Sequence, residues 1–203
     1  MQKVTIIDYG AGNLASLRNA FKYLDVPVEI TSDAVEIRNA EKLVLPGVGA
    51  FGPAMDRLRD SGIADAIMEQ VEQGTILLGI CLGMQLLFTT SYEQGKHNGL
   101  DLIPGDVQKF NGVEKVPHMG WNILKPAQDA DPLLAGTPEP AYVYFVHSYY
   151  CIPASPEYTI ALSDYGNPFA AAVRNDRVWG MQYHPEKSQD VGLTMLQNFA
   201  NQE

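Results

Sequence analysis

Residues 3–8, 27–31, 42–45 and 75–80 are short apolar runs separated by stretches of helical period. Strand, helix and strand at this spacing need crossover connections, which are right-handed and give a parallel sheet. Between the first two runs, Asn13 caps a helix reaching Leu24, with Leu14, Leu17, Ala20, Phe21 and Leu24 on one face. Helical patterns follow at 54–59 and 63–72, and another at 82–90, directly after the fourth strand. From residue 106 the runs shorten and are punctuated by Gly, Pro and Asn: QKFNG, GWNILKP, YVYFVHSYY, YTIALSDYG, FAAAVRND and RVWGMQYHPE. Asn175-Asp176 reads as a hairpin turn. This half supplies antiparallel strands that complete or flank the sheet, then a helix over 188–201 with Val191, Met195, Leu196 and Phe199 inward. Residues 129–140, with three prolines, form a loop. The fold expected is α/β and flavodoxin-like: a mostly parallel open sheet flanked by helices, with antiparallel strands added in the second half. With 203 residues and no linker, it is expected as one domain over 1–203.

Composition narrows the function. Fourteen basic residues against twenty-four acidic ones give a net charge of −10. A nucleic-acid or membrane-surface partner needs a basic patch, so neither is expected. Two cysteines make no disulfide framework, and four histidines with neither HxxxH nor CxxC spacing offer no metal site. The longest apolar stretch, 75–88, is 14 residues interrupted by Gly79, Gly83 and Gln85, too short to cross a bilayer. A cytoplasmic protein without cofactor or metal is expected.

Ligands of open α/β sheets bind at the carboxyl ends of the strands. Three turns lie there, at 10–13, 46–49 and 81–83. Neither GxGxxG nor GxxxxGK[ST] is present, which argues against a dinucleotide or P-loop site. The third turn, Gly79-Ile80-Cys81-Leu82-Gly83, has the form of a nucleophile elbow: a reactive residue on a sharp strand-to-helix turn between small neighbours. A lone cysteine is more often a small buried hydrophobe, which is the reading for Cys151. A thiol nucleophile needs a base and an orienter. Of His97, His118, His147 and His184, only the last has a carboxylate two residues on, Glu186 across Pro185. In extended chain, i and i+2 point to one side. Cys81, His184 and Glu186 therefore make a candidate triad. Leu82, just after the nucleophile, and the Gly47-Val48-Gly49 stretch at the end of a neighbouring strand are candidate sources of oxyanion donors.

These residues carry a resemblance. GICLGMQLLF, PGVGAFG and YHPEKS resemble the class I (triad) glutamine amidotransferases; IDYGAGNL, PHMGWN and YFVHSYY resemble, within that class, the glutaminase subunits of imidazole glycerol phosphate synthases of histidine biosynthesis. The motifs run in order from residue 7 to 188. The resemblance implies hydrolysis of L-glutamine to glutamate and ammonia through a glutamyl thioester on Cys81. It implies that Leu82 and the Val48–Gly49 peptide hold the oxyanion, that Gln85 and Ser148 bind the amino-acid end of glutamine and that Tyr144 lines the site. It also implies a (β/α)₈ cyclase partner in a heterodimer that receives the ammonia, with Gly10, Asn13, Met119 and Trp121 at the docking edge. Alternatives from the same residues are a related glutaminase serving another synthase, for surface-sugar amidation or pyridoxal phosphate synthesis, a cysteine peptidase or isomerase on the same scaffold, and a non-enzymatic binding module.

Overall fold

The computed structural model describes residues 2–112, 115–127 and 131–202. Its first half alternates strand and helix: β1 (Val4–Ile7), α1 (Leu14–Tyr23), β2 (Val28–Thr31), α2 (Ala34–Ile37), β3 (Lys42–Leu45), α3 (Phe51–Asp60), α4 (Ile63–Glu72), β4 (Ile76–Ile80) and α5 (Leu82–Leu86). Asn13 caps α1, its side chain accepting from the Ser16 N–H, and Leu17, Ala20 and Phe21 form the buried face. Asp33 likewise caps α2, a single turn too short to leave a periodic signature in the sequence.

The second half contributes β5 (Phe88–Ser91), β6 (His97–Asn98), β7 (Ile103–Lys109), β8 (His118–Pro126), β9 (Ala141–His147), β10 (Tyr149–Pro153), β11 (Thr159–Asp164), β12 (Pro168–Asn175), β13 (Val178–Met181) and α6 (Gln189–Ala200). Among the described residues the main sheet has the order β2-β1-β3-β4-β13-β12-β11-β8-β9. Its first five strands pair in parallel, and from β13 onward the pairing is antiparallel. The β12–β13 hairpin turns at Asn175-Asp176, with Asn175 opposite Val178 and Asp176 at φ 50°. Parallel strands are buried on both faces. Val4, Ile6, Val44 and Leu78 pack with Leu17 and Phe21 of α1 and with Met195, Leu196 and Phe199 of α6. Ile7, Leu43, Leu45 and Leu77 pack on the other face with Met55 and Leu58 of α3 and Ile67 of α4.

Two expectations are corrected. The helix expected over 82–90 ends at Leu86, and Phe88–Ser91 is a strand. Phenylalanine, two threonines and a serine favour a pleated, half-buried surface over a helix. Here they pair in parallel with β7 and antiparallel with β6. The run YVYFVHSYY is two strands, not one. It breaks at Ser148, so β9 edges the main sheet while β10 joins a second sheet of order β10-β7-β5-β6. Within the loop expected at 129–140, Asp131 caps a 3₁₀ turn at Pro132–Leu134; residues 129 and 130 lie outside the described ones. Among the described residues no helix is long and apolar enough to cross a membrane.

Candidate active site

Cys81 stands between β4 and α5 with φ 56° and ψ −112°, left-handed backbone that a non-glycine residue rarely adopts. Holding it costs ~1–3 kcal/mol, which the surrounding packing must offset. The flanking glycines make the turn possible. A Cβ on Gly83 would lie 1.8 Å from the Leu45 carbonyl oxygen, and one on Gly79 would lie 2.7 Å from the Gly83 oxygen. The turn thus folds back onto the ends of β3 and β4, where no side chain fits.

The histidine arrives on the next strand. β13 runs parallel to β4 with Met181 opposite Ile80, so both strands deliver their carboxyl ends to one place. Gln182 Nε2 lies 3.9 Å from Cys81 Sγ. Two residues on, His184 Nδ1 bonds Glu186 Oε1 at 2.9 Å, both side chains buried at 4% and 1% exposure. Pro185 opens a 3₁₀ turn that brings Glu186 back against the ring. Among the described residues, His184 Nε2 and Glu186 Oε2 are buried with no hydrogen-bond partner. Burial alone would lower the His184 pKa, but Cys81 and Glu186 outweigh it and push it up to about 10.

A cavity of about 620 Å³ opens over the turn. It is lined by Cys81, Leu82, Gln85, Val48, Gly49 and Ser148 among the expected residues. Gln85 is buried, and its Nε2 donates to the Tyr149 carbonyl at 3.1 Å and to Gln182 Oε1 at 3.0 Å. The Leu82 N–H is not free: it donates to the Gly47 carbonyl at 3.3 Å. Val48 is 45% exposed, and Gly49, at φ 106°, has nothing within 4 Å of a built Cβ.

Tyr144 is not on the cavity wall. Its backbone accepts from the His184 N–H at 2.9 Å, and its ring meets Trp121 at 6.0 Å and Lys187 at 5.8 Å. Trp121 and Met119, 48% and 61% exposed, share one face of β8. The Gly10–Asn13 turn sits beside the loop at 46–49, with Gly12 packed against Pro46. Cys151 is buried, and burial pushes its thiol pKa up.

The fold adds residues that no motif singles out. Glu93 and Lys109 line the cavity; they are ordinary charged residues until β5 and β7 pair. His147 lines it too, backed by His118. The Tyr149 carbonyl can only accept, so His147 Nδ1 carries the proton of their 2.8 Å bond. His147 Nε2 therefore accepts from His118 Nδ1 at 2.9 Å, and His118 Nε2 accepts from Asn122 Nδ2 at 3.2 Å. Burial pushes His118 down to about 4 and His147 to about 3, with the His147 value also lowered by His118 and His184. Among the described residues no cluster of His, Cys, Asp and Glu is placed to hold a metal ion.

A strained cysteine on an elbow, beside a buried histidine–carboxylate pair and under a polar cavity, is a site for acyl transfer through a thioester. The chain belongs to the class-I glutamine amidotransferases, whose family model matches residues 5–202. Within that class its relatives include the imidazole glycerol phosphate synthase subunit HisH of Syntrophotalea carbinolica, 48% identical with 98% of this chain and 99% of that one covered. That of Chlorobaculum tepidum is 44% identical, with 97% and 98% covered. The fold is also that of PurLQS from Thermotoga maritima, with a TM-score of 0.78, 17% identity and 99% of each chain covered.

Proposed function

We propose that the chain is the glutaminase subunit of an imidazole glycerol phosphate synthase of histidine biosynthesis, with Cys81, His184 and Glu186 as its triad. The observation that carries the triad is the parallel β4–β13 register, with Ile80 opposite Met181, which delivers the elbow cysteine and the buried His184–Glu186 pair to one sheet edge. Cys81 Sγ attacks the side-chain amide carbon of glutamine. His184 gives a proton to the departing nitrogen, and ammonia leaves behind a γ-glutamyl thioester. Water, deprotonated by His184, then releases glutamate. Glu186 holds the Nδ1 proton and stabilises the charged ring. The oxyanion is held by the N–H of Leu82, once it gives up its 3.3 Å bond to the Gly47 carbonyl, and by an N–H of the Val48–Gly49 segment.

The cavity suits an amino acid. Glu93 and Lys109 on its wall offer opposite charges to the ammonium and carboxylate of glutamine, and Gln85 and Ser148 line the same space. The partner is a (β/α)₈ cyclase in a heterodimer, and the pair works in the cytoplasm. In neutral water ammonia is mostly ammonium, a poor nucleophile, so the product is useful only if it is passed directly to a second site. The exposed Met119 and Trp121, with the turn at Gly10 and Asn13, suit the docking edge.

The test is Cys81→Ala in complex with the cyclase. Glutamine-driven synthesis should fall on the order of 10⁴-fold or more, while synthesis from added ammonium salts persists. Glutamine-driven synthesis near the wild-type rate would refute the triad.

A further inference from the structure

Gln182 is a polar side chain that the triad chemistry does not use. It is wholly buried and directly follows β13, with its backbone N–H pinned to the Ala171 carbonyl of β12 at 2.9 Å. The same strand end holds the nucleophile, because the Cys81 N–H donates to the Met181 carbonyl at 2.7 Å. Which end of the Gln182 amide faces the sulfur follows from one carbonyl. The Tyr149 oxygen can only accept. Gln85 therefore presents its NH₂ there, at 3.1 Å, and the same nitrogen reaches Gln182 at 3.0 Å. Gln182 meets it with its amide oxygen. Its own NH₂ is then left facing Cys81 Sγ at 3.9 Å. His147 Nδ1 donates to the same Tyr149 oxygen at 2.8 Å and holds that carbonyl in place. Donor and acceptor roles are thus fixed from a peptide group through two glutamines to the sulfur, and the sulfur is the acceptor.

Resting on the glutaminase reading above, we propose that Gln182 is a further catalytic residue: its side-chain N–H donates to Cys81 Sγ and holds that sulfur as a thiolate. A hydrogen bond to the charged form of a group favours that form, and the thiolate is the nucleophile. A thiol accepts weakly and an ionised sulfur strongly, so the bond contributes most once the Cys81 proton has passed to His184 Nε2. The sulfur of the thioester carries no charge. The bond strengthens again when water has attacked, the carbon–sulfur bond breaks and its electron pair returns to Sγ. The amide itself gains and loses no proton. Held beforehand by β12, β13 and Gln85, it is a donor that needs no rearrangement at the moment of reaction.

Gln182→Met keeps the length of the side chain and removes the donor. Iodoacetamide reads the sulfur directly, because it is small and lacks the amino-acid end of glutamine. Its rate with the full chain is followed across pH by the mass of the Cys81 peptide. At neutral pH the variant should react roughly ten- to a hundredfold more slowly, the contribution of one hydrogen bond to a charged group. The loss should close as pH rises and hydroxide takes over the deprotonation. In the cyclase complex, glutaminase kcat should fall by a similar factor with KM unchanged. Gln182→Glu keeps the oxygen that accepts from Gln85 but sets a second oxygen against the sulfur, so it should react more slowly than Gln182→Met. A merely structural role reverses that order, since only methionine loses the Gln85 bond, and gives a loss equal at every pH. A wild-type alkylation rate at neutral pH in whichever variant folds, a loss that does not close with pH, or the reversed order each overturns the proposal. A wild-type chain that releases no ammonia from glutamine, alone or with the cyclase and its nucleotide ligand, overturns instead the glutaminase reading, on which the alkylation rates do not depend.

Discussion

His184 and the His118–His147 pair are buried to nearly the same degree, at 3%, 3% and 6% exposure. Their ionisation runs in opposite directions, up to about 10 for His184 and down to about 4 and 3 for the pair. Burial pushes all three toward the neutral ring, so burial cannot be what separates them. The partners do. His184 has a carboxylate on Nδ1 and the Cys81 thiol group close enough to favour the charged ring. His118 and His147 have an amide, a carbonyl and each other, which use every ring nitrogen and give nothing to balance a charge. One region is arranged to move a proton. The other is arranged to keep two rings neutral and fixed, inside an aromatic cluster where His118 stacks on Phe145 and Tyr165 at 4.8 Å and 4.1 Å.

The comparison breaks most sharply at Glu186. Glu186→Gln leaves an amide against His184 without the charge that favours the imidazolium. Glutaminase kcat in the activated complex should fall by ~10²–10⁴-fold, less than for Cys81→Ala, and the pKa of His184 should drop. Loss equal to that of Cys81→Ala would assign Glu186 a further role.

The neutral pair gives a smaller effect, on stability. The folded values near 4 and 3 lie below the ordinary histidine value of 6.5. Below pH 6.5 the unfolded chain takes up protons that the folded chain refuses, so the contribution of the pair is complete above 6.5 and is lost as pH falls toward 4 and 3. His184 has the opposite sign: its contribution is complete below 6.5 and is lost as pH rises through about 10. His118→Phe keeps the stacking but strands His147 Nε2. It should cost ~1–3 kcal/mol at neutral pH and flatten the acid limb of stability in denaturant titrations. An acid limb as steep as in wild type would remove His118 as its source.

Much of the charged site was legible in sequence because its parts are local. The glycines at 79 and 83 bracket Cys81 within five residues, and Glu186 is two from His184. The parallel strands were legible for the same reason, since each is a continuous apolar run with its turn attached. The neutral pair was not. His118 and His147 meet only because β8 and β9 pair with those two residues opposite each other, 29 positions apart. The strand at Phe88–Ser91 was read as helix because an apolar run directly after an elbow continues the helical pattern, and its partners β6 and β7 lie further along the chain. Tyr144 is marked only by its place in YFVHSYY; it shares a strand face with Val146, which lines the cavity, and its ring lies beside Trp121, opposite it on β8.

The most direct measurement of whether partner chemistry rather than burial sets these rings is a ¹⁵N NMR titration of the imidazoles, with His184 assigned through a His184→Asn variant. The account predicts a His184 ring protonated on both nitrogens through neutral pH and titrating near 10. It predicts His118 and His147 neutral, each with its proton on Nδ1, down to about 4 and 3. A His184 that titrates near 6.5, or a His118–His147 pair that takes up a proton there, would contradict it.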